Sequence, residues 1–278
     1  MTQTKYATDY NATEQMVISA AREIKDNDIV YVGVGLPMQA GVLAKNNHAP
    51  NSVIVIENGI VRASRFPIPR ATDNLHSQSY AEQLSGLFYV MNLAQAGHVT
   101  TGFLGAGQID RYGNCNDTAV GDYRNPVHRW QGSGGGNDVM SFCGRTIIIL
   151  EQSKRRFLEK VDFNTCPGYL DGKPGRREEI GLPPNTGPVV VITNLATYTF
   201  EDREMTVKSV HAGCGVDLDQ VKAELSWDVK VASDLADTEP PTEEELSIYR
   251  GKIVAVLRAY GPRPGAAPPL AQGQANRS

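Results

Sequence analysis

The sequence predicts an α/β fold built on a mostly parallel sheet flanked by helices, with antiparallel strands at one edge. Three observations carry that expectation. Residues 29–34 and 52–56 are short, almost wholly apolar runs rich in β-branched side chains, the pattern of strands buried on both faces. Between them, Gly33-Val34-Gly35-Leu36-Pro37 turns the chain into a helical stretch that runs to about Asn46, with the proline suited to a first helical turn. A strand, a helix and a strand in about thirty residues form the unit of a parallel sheet with right-handed crossovers. Further on, residues 189–192, 196–200 and 205–210 are apolar runs whose connections are too short for crossovers, so they are expected to pair antiparallel.

The chain has 278 residues, 41% hydrophobic and 21% charged. That suits a single domain with a full core, here placed at residues 11–260. Residues 1–10 are expected to be flexible, and the Pro-, Gly-, Ala- and Gln-rich tail 261–278 disordered. A net charge of -4 argues against non-specific nucleic-acid binding. No run approaches the roughly 18–20 apolar residues of a membrane span. Met1 to Tyr10 lacks the apolar core of a signal peptide, so the cytoplasm is the default location. Cys115, Cys143, Cys166 and Cys214 are scattered without C-x-x-C spacing. They read as free buried thiols, and no metal site is expected.

The remaining elements follow in order. Asn11 to Lys25 reads as a helix, with Asn11 and Glu14 as a capping box and Met16, Val17, Ala20, Ala21 and Ile24 on one apolar face. Residues 61–79, with two prolines and three arginines, read as a long loop. Tyr80 to Gln95 is apolar enough for a buried helix, stopped by Gly97, and Val99 to Leu104 is the next strand. Two polar, glycine-rich blocks follow, Gly105 to Asn114 and Gly132 to Asp138, the second preceding a short helix and a strand at 146–150. Glycines at that density bring backbone N–H groups close to an anion or oxyanion, or form a plain flexible turn. Lys154-Arg155-Arg156 is either a solvated face or a contact with a phosphate-bearing ligand or partner subunit. Residues 173–185 read as an excursion, 216–226 as a short amphipathic helix, and Thr242 with Glu245 as the cap of a last helix to about Tyr249. No internal repeat is present.

On parallel sheets, ligands bind beyond the carboxyl ends of the strands. Both the Gly33–Gly35 turn and Glu57 belong there, so an acid is expected at the functional edge. Three readings of Glu57 compete. A dinucleotide site would use Gly33 and Gly35 with an acid about twenty residues on, but Met38 stands at the third glycine position and Pro37 in the turn. A structural role would have Glu57 cap a helix or pair with Arg62, Arg65 or Arg70. A nucleophile would attack an activated acyl group to give a mixed anhydride, and would need donors and an oxyanion hole nearby. A non-enzymatic nucleotide or sugar-phosphate sensing module would account for the glycine loops but not for the carboxylate. The five histidines are scattered, and His211 beside Ala212-Gly213 reads as structural.

Ile56-Glu57-Asn58-Gly59 resembles the Ser-Glu-Asn-Gly type motif around the glutamate of family I coenzyme A transferases. Gly102 to Asn114, Gly132 to Asp138, Lys154 to Phe163 and Val210 to Val229 resemble, in the same order, blocks of β subunits of the glutaconate CoA-transferase type. The resemblance runs from about residue 10 to 255. Ile56 stands where serine is frequent, and Gly136 where many relatives carry alanine. The resemblance implies the CoA-transferase fold, with a Rossmann-like sheet, and an α subunit that completes the active site in a heterodimer or heterotetramer. It implies Glu57 as the catalytic nucleophile, with acyl-glutamyl anhydride and glutamyl-CoA thioester intermediates. The amides of Gly134, Gly135 and Gly136 would form the oxyanion hole and CoA-facing loop. Gly33, Gly35, Asn58, Gly59, Gly105, Ala106, Gly107 and Gln108 would line the cleft. Coenzyme A enters as a thioester substrate, with no permanently bound cofactor, and the acids exchanged would include a dicarboxylate such as glutaconate. Arg62, Arg65 and Arg70, just beyond Glu57, could hold its distal carboxylate by bidentate contacts. Some superfamily members lack the glutamate and act as hydrolases or decarboxylases; Glu57 is present here, which favours transfer, while a CoA-thioester hydrolase or decarboxylase stays the alternative, since water could attack the same anhydride.

Overall fold

The computed structural model describes residues 4–62, 64–65, 67–71 and 74–261. Helix α1 (Ala12–Arg22) opens on Asn11, whose side chain accepts the Glu14 N–H while the Glu14 carboxylate accepts the Asn11 N–H. This is the expected capping box, with two orphan donors satisfied at once. Strand β1 (Ile29–Val32) leads to α2 (Leu36–Asn46), which carries Pro37 in its first turn, and then to β2 (Val53–Ile56). A tight turn reverses the chain into β3 (Ile60–Arg62), and β4 (Gln83–Leu84) and α3 (Leu87–Gln95) precede β5 (Thr101–Leu104). Short strands β6 (Gln108–Asp110), β7 (Cys115–Asn116), β8 (Ala119–Val120) and β9 (His128–Arg129) come before α4 (Gly136–Phe142) and β10 (Arg145–Ile149). Strand β11 (Phe157–Leu158), α5 (Arg176–Glu179), β12 (Pro188–Ile192), β13 (Ala196–Glu201) and β14 (Glu204–Val210) follow. The described chain closes with α6 (Leu218–Ala223), β15 (Lys230–Asp237), α7 (Glu243–Ile248), a π-helical turn at Tyr249–Val254 and α8 (Ala255–Ala259).

Ten strands form the main sheet in the order β15-β14-β13-β12-β10-β5-β1-β2-β3-β4. Its centre, β12 to β2, is parallel throughout. The antiparallel pairs β12–β13 and β13–β14 match the expectation for 189–210. Alternation along each central strand divides the core between the two faces. Ile54, Ile56, Ile147 and Ile149 pack with α1 and α2, while Val55 and Ile148 pack with Val90, Val139 and Met140. Each such side chain taken from water contributes about 1.5–3 kcal/mol, which is why a parallel sheet is read from continuous apolar runs.

Several elements differ from expectation, the short strands β6 to β9 and β11 and the helix α5 among them. The helix placed at 80–95 begins at Leu87 and buries only Val90 and Ala94, because the preceding residues serve β4 and its turn. The loop placed at 61–79 starts one strand later, since Ile60-Val61-Arg62 pairs with β2. Strand β15 was not anticipated, because its exposed face is charged and breaks the apolar pattern. The last helix continues past Tyr249 through a π-turn to Ala259. Of the segment expected to be flexible, residues 4–10 lie along the approach to α7, where the Ala7 N–H donates to the Pro241 carbonyl at 2.9 Å. Residues 1–3 and the tail from 262 lie outside the described residues. All four cysteines are free thiols, with Cys115, Cys143 and Cys166 buried.

Candidate active site

Strand β1 has β2 on one side and β5 on the other. The chain therefore leaves β1 in one direction through α2 and returns to its opposite flank through α3, so the loops beyond β1 and β5 diverge. Such a switch point opens a crevice at the carboxyl ends of the strands. A cavity of about 520 Å³ lies there. Its wall is built from Tyr31, Gly33 and Val34 of β1 and its turn, Glu57 beyond β2, Leu104 to Gly107 beyond β5, Asp117, and the loop Gln131 to Gly136 that enters α4.

Glu57 is the first residue of the turn joining β2 to β3. Ile56 and Ile60 are paired, and the Gly59 N–H donates to the Ile56 carbonyl at 3.0 Å. The turn leaves the glutamate side chain half-buried. Among the described residues no cation pairs with it, which removes the salt-bridge reading. Across the cavity stands Gly134, in a left-handed conformation with φ +48. A Cβ at that residue would lie 3.1 Å from Glu57 Oε1, so the backbone favours glycine there and a side chain would crowd the carboxylate.

The neighbouring amides do not all remain available. The Gly136 N–H donates to the Ser133 carbonyl at 2.8 Å, and the Asn137 N–H to Ser133 Oγ at 2.9 Å. Among described residues, the N–H groups of Gly134 and Gly135 have no acceptor. The donor set expected over Gly134–Gly136 thus narrows to two. Tyr31 reaches the same loop, with its Oη 2.6 Å from where a Gly135 Cβ would sit. Burial, and then the Glu57 charge, push its phenol well above the usual tyrosine range, so it remains a neutral donor.

A second acid shares the wall. Asp117 Oδ1 accepts the Gly107 N–H at 2.7 Å. Burial pushes its carboxyl up to about 6 against that hydrogen bond, which acts to lower it.

Of the residues singled out from sequence, Glu57, Gly33, Gly105, Ala106, Gly107 and Gly134 to Gly136 meet in this cavity. The others do not line it. Gly35 caps α2. Gly59 is buried in the turn, and Asn58 is exposed with its Nδ2 3.4 Å from Ser77 Oγ. Gln108 is only 3% exposed and works in the interior, donating to Asp162 Oδ2 at 2.8 Å and accepting from Asn116 Nδ2 at 2.6 Å. Arg62 is fully buried on β3 and donates to the His76 carbonyl at 3.2 Å. Arg65 is exposed on the loop, and Arg70 donates to the Tyr260 carbonyl at 3.2 Å. Strand β3 carries these arginines away from Glu57, because the chain reverses immediately after it. Lys154 and Arg155 are solvent-exposed and outside the wall. His211 is buried, bonded to the Thr193 carbonyl and Thr238 Oγ1, and burial lowers its pKa to about 4, in line with a structural role. Among the described residues no cluster of three or more His, Cys, Asp or Glu side chains could hold a metal.

Tyr31, Asp117, Gln131 and Ser133 were not singled out from sequence. Tyr31 had a signal, as the one hydroxyl in an apolar strand. Asp117 had none, because its place depends on a hairpin and a loop that meet only in three dimensions.

The coenzyme A transferase family matches this chain over residues 13–223. The β subunit of 3-oxoadipate CoA-transferase from Pseudomonas knackmussii is 34% identical over 259 residues, covering 92% of this chain and 98% of that protein. The β subunit of glutaconate CoA-transferase from Acidaminococcus fermentans is 35% identical over 202 residues, covering 70% and 75% respectively. The crystal structure of glutaconate coenzyme A-transferase from Acidaminococcus fermentans matches with a TM-score of 0.82 at 30% identity, over 90% of this chain and 96% of that one. The family match runs from α1 through α6 and so takes in every element that builds the Glu57 cavity: this chain belongs to the coenzyme A transferase family.

Proposed function

We propose that the chain is the β subunit of an acyl-CoA:carboxylate CoA-transferase, with Glu57 as nucleophile and an α subunit completing the site. One observation carries this reading. A carboxylate without an ion-pair partner among the described residues lies against Gly134, in a loop where the N–H groups of Gly134 and Gly135 have no acceptor. A carboxylate oxygen of Glu57 attacks the thioester carbonyl, the C–S bond breaks, and CoA thiolate leaves an acyl-glutamyl anhydride. The thiolate then attacks the Glu57 carbonyl, releasing the first acid and leaving a glutamyl-CoA thioester. An acceptor carboxylate attacks that thioester, and the returning thiolate takes the new acyl group and frees Glu57. Each tetrahedral intermediate places its oxyanion toward the amides of Gly134 and Gly135. Holding the acyl group on the chain keeps the thioester energy from water and makes the steps intramolecular, worth up to about 7–11 kcal/mol of barrier when aligned.

The partner is argued from the surface beside the cavity. Leu75, Tyr80, Leu84, Leu87 and Phe88 are all more than half exposed, Phe88 at 83%. They lie on the stretch leading into α3, the helix whose Met91 Sδ lies 3.8 Å from Tyr31 Oη. Exposed apolar residues of this number, on the stretch leading into a helix that flanks the site, suit a surface for another chain. The relatives are each named as one subunit of a CoA-transferase, in keeping with that reading. A dicarboxylic acid, as their names suggest, would need its countercharge from the α subunit, since Arg62, Arg65 and Arg70 lie outside the cavity.

The test uses the co-purified α/β complex. After incubation with acyl-CoA, borohydride is expected to reduce a glutamyl thioester and abolish activity, with the modification mapped to Glu57. An active preparation with unmodified Glu57 would sink the mechanism. Release of CoA that does not depend on an acceptor acid would identify a hydrolase instead.

A further inference from the structure

The Glu57 cavity holds a second carboxylate that the proposed reaction does not use. Asp117 follows β7 and stands between the two glycine loops. Its Oδ1 is held by the Gly107 N–H at 2.7 Å, and its carbonyl accepts the Gly132 N–H at 3.0 Å. Among the described residues no donor reaches Oδ2. Among the described residues, the wall contains no lysine, arginine or histidine. An acyl group joined to Glu57, whose own charge is spent in the anhydride, therefore meets the Asp117 carboxylate and no countercharge from the described residues.

We propose that Asp117 is a specificity-determining residue that touches the acyl chain at Glu57, accepts a hydrogen bond from a hydroxyl-bearing chain, and disfavours a chain ending in a second anion. The inference rests on the transferase reading. A buried acceptor rewards a substrate donor and penalises a like charge, which discriminates more strongly than apolar fit. Burial pushes the Asp117 carboxyl up to about 6, so its charge is present at neutral pH and is lost on mild acidification. The titratable groups around it are Glu57 and Tyr31 in the wall and the thiols of Cys115 and Cys166. Burial holds both thiols and the phenol far above their ordinary ranges, so they stay neutral. Glu57 is held as the neutral glutamyl thioester when the acceptor acid enters, so it adds no charge to the comparison of acceptors.

The experiment measures kcat/KM of the assembled α/β enzyme for butyrate, 4-hydroxybutyrate, succinate and 3-sulfopropionate as acceptors. At about pH 7.5, where a carboxyl with a pKa of about 6 is ionised, 4-hydroxybutyrate is expected to lead and the two dianions to trail. Asp117→Asn keeps an oxygen for Gly107 and removes the charge. It should raise succinate relative to butyrate by about tenfold or more, the scale of a lost buried like-charge contact. In the unaltered enzyme, 3-sulfopropionate should gain on butyrate by a similar factor between about pH 7.5 and about pH 5.5, because its sulfonate stays charged while Asp117 is neutralised. This second arm stands even if the variant fails to fold. Ratios indifferent to substitution, or to pH in the unaltered enzyme, overturn the inference alone. No exchange with any acid, and an unmodified Glu57, overturns the transferase reading and this inference with it.

Discussion

A methyl group on Gly134 would lie 3.1 Å from the carboxylate oxygen of Glu57, on a backbone turned to φ +48. Gly134→Ala is therefore expected to displace either the Glu57 carboxylate or the Gly134–Gly135 backbone, the groups proposed as nucleophile and oxyanion donors. A shift of about 1 Å in a reacting group costs on the order of 10²-fold. Assayed in the α/β complex, the variant should lose kcat by about that factor while keeping its far-UV spectrum and association with the partner. Unchanged kcat would separate the loop from the chemistry. Glu57 itself was legible in the sequence, because an apolar strand that ends in an acid places that acid at the edge where ligands bind. The arginines were not, because assigning Arg62 needed the knowledge that residue 60 already begins a reversing strand. Asp117 was beyond reach of any local pattern, as its neighbours Gly107 and Gly132 lie ten and fifteen residues away on different loops.

Helix α1 is fastened to α7, and to the π-helical turn that continues it, through the two capping-box glutamates. Glu14 caps α1 and also receives Arg250 Nε and Nη2 at 2.6 and 2.8 Å. Glu245 caps α7 and receives Arg22 Nε and Nη2 at 2.8 and 2.7 Å. The hydrogen bond from Arg250 holds Glu14 below the usual carboxylate range. Burial opposes the same shift at Glu245, but Arg22 and the cap prevail. Folded-state values below the unfolded ones mean stability that is present above about pH 4.5 and lost as the pH falls further. A double-mutant cycle of Arg22→Ala and Glu245→Ala is expected to give a coupling of about 1–2 kcal/mol at neutral pH. Urea unfolding would read it, and the coupling should fade below about pH 4 as the carboxylate is protonated. Both boxes were visible in sequence, since capping is a local pattern of three-residue spacing. Strand β15 and the exposed face of α3 were not, because an element at an edge or under a partner no longer follows the burial pattern of a monomer's core.

At the scale of the molecule, the sheet order explains why a cavity exists and why it is open. The parallel centre places the β1, β2 and β5 loops together at one edge, and Leu75, Tyr80, Leu84, Leu87 and Phe88, on the stretch leading into α3, stand exposed among the described residues. The parallel α/β architecture followed from two strands and a helix read early in the sequence. Its ten-strand extent did not, since short connecting strands carry too few residues for a pattern. One feature of the cavity bears on the whole chain: every residue in its wall falls between Tyr31 and Gly136. The later residues brace that region through pairing of β10 with β12, and through the buried Arg177, whose Nη1 donates to the Gly168 carbonyl at 2.7 Å and Nη2 to the Met140 carbonyl at 3.0 Å. The exposed stretch 178–181 lies just beyond that anchor. Cleavage at a protease site inserted after Glu179 is expected to leave two pieces that co-elute in gel filtration and retain acyl-CoA exchange with the α subunit. Dissociation, or lost exchange with both pieces present, would show that the brace needs an unbroken backbone. The first half of the chain thus carries the cavity wall and the second half the framework that holds it, so substitutions in the two halves are expected to be read out differently, as altered exchange in one and as lost stability in the other.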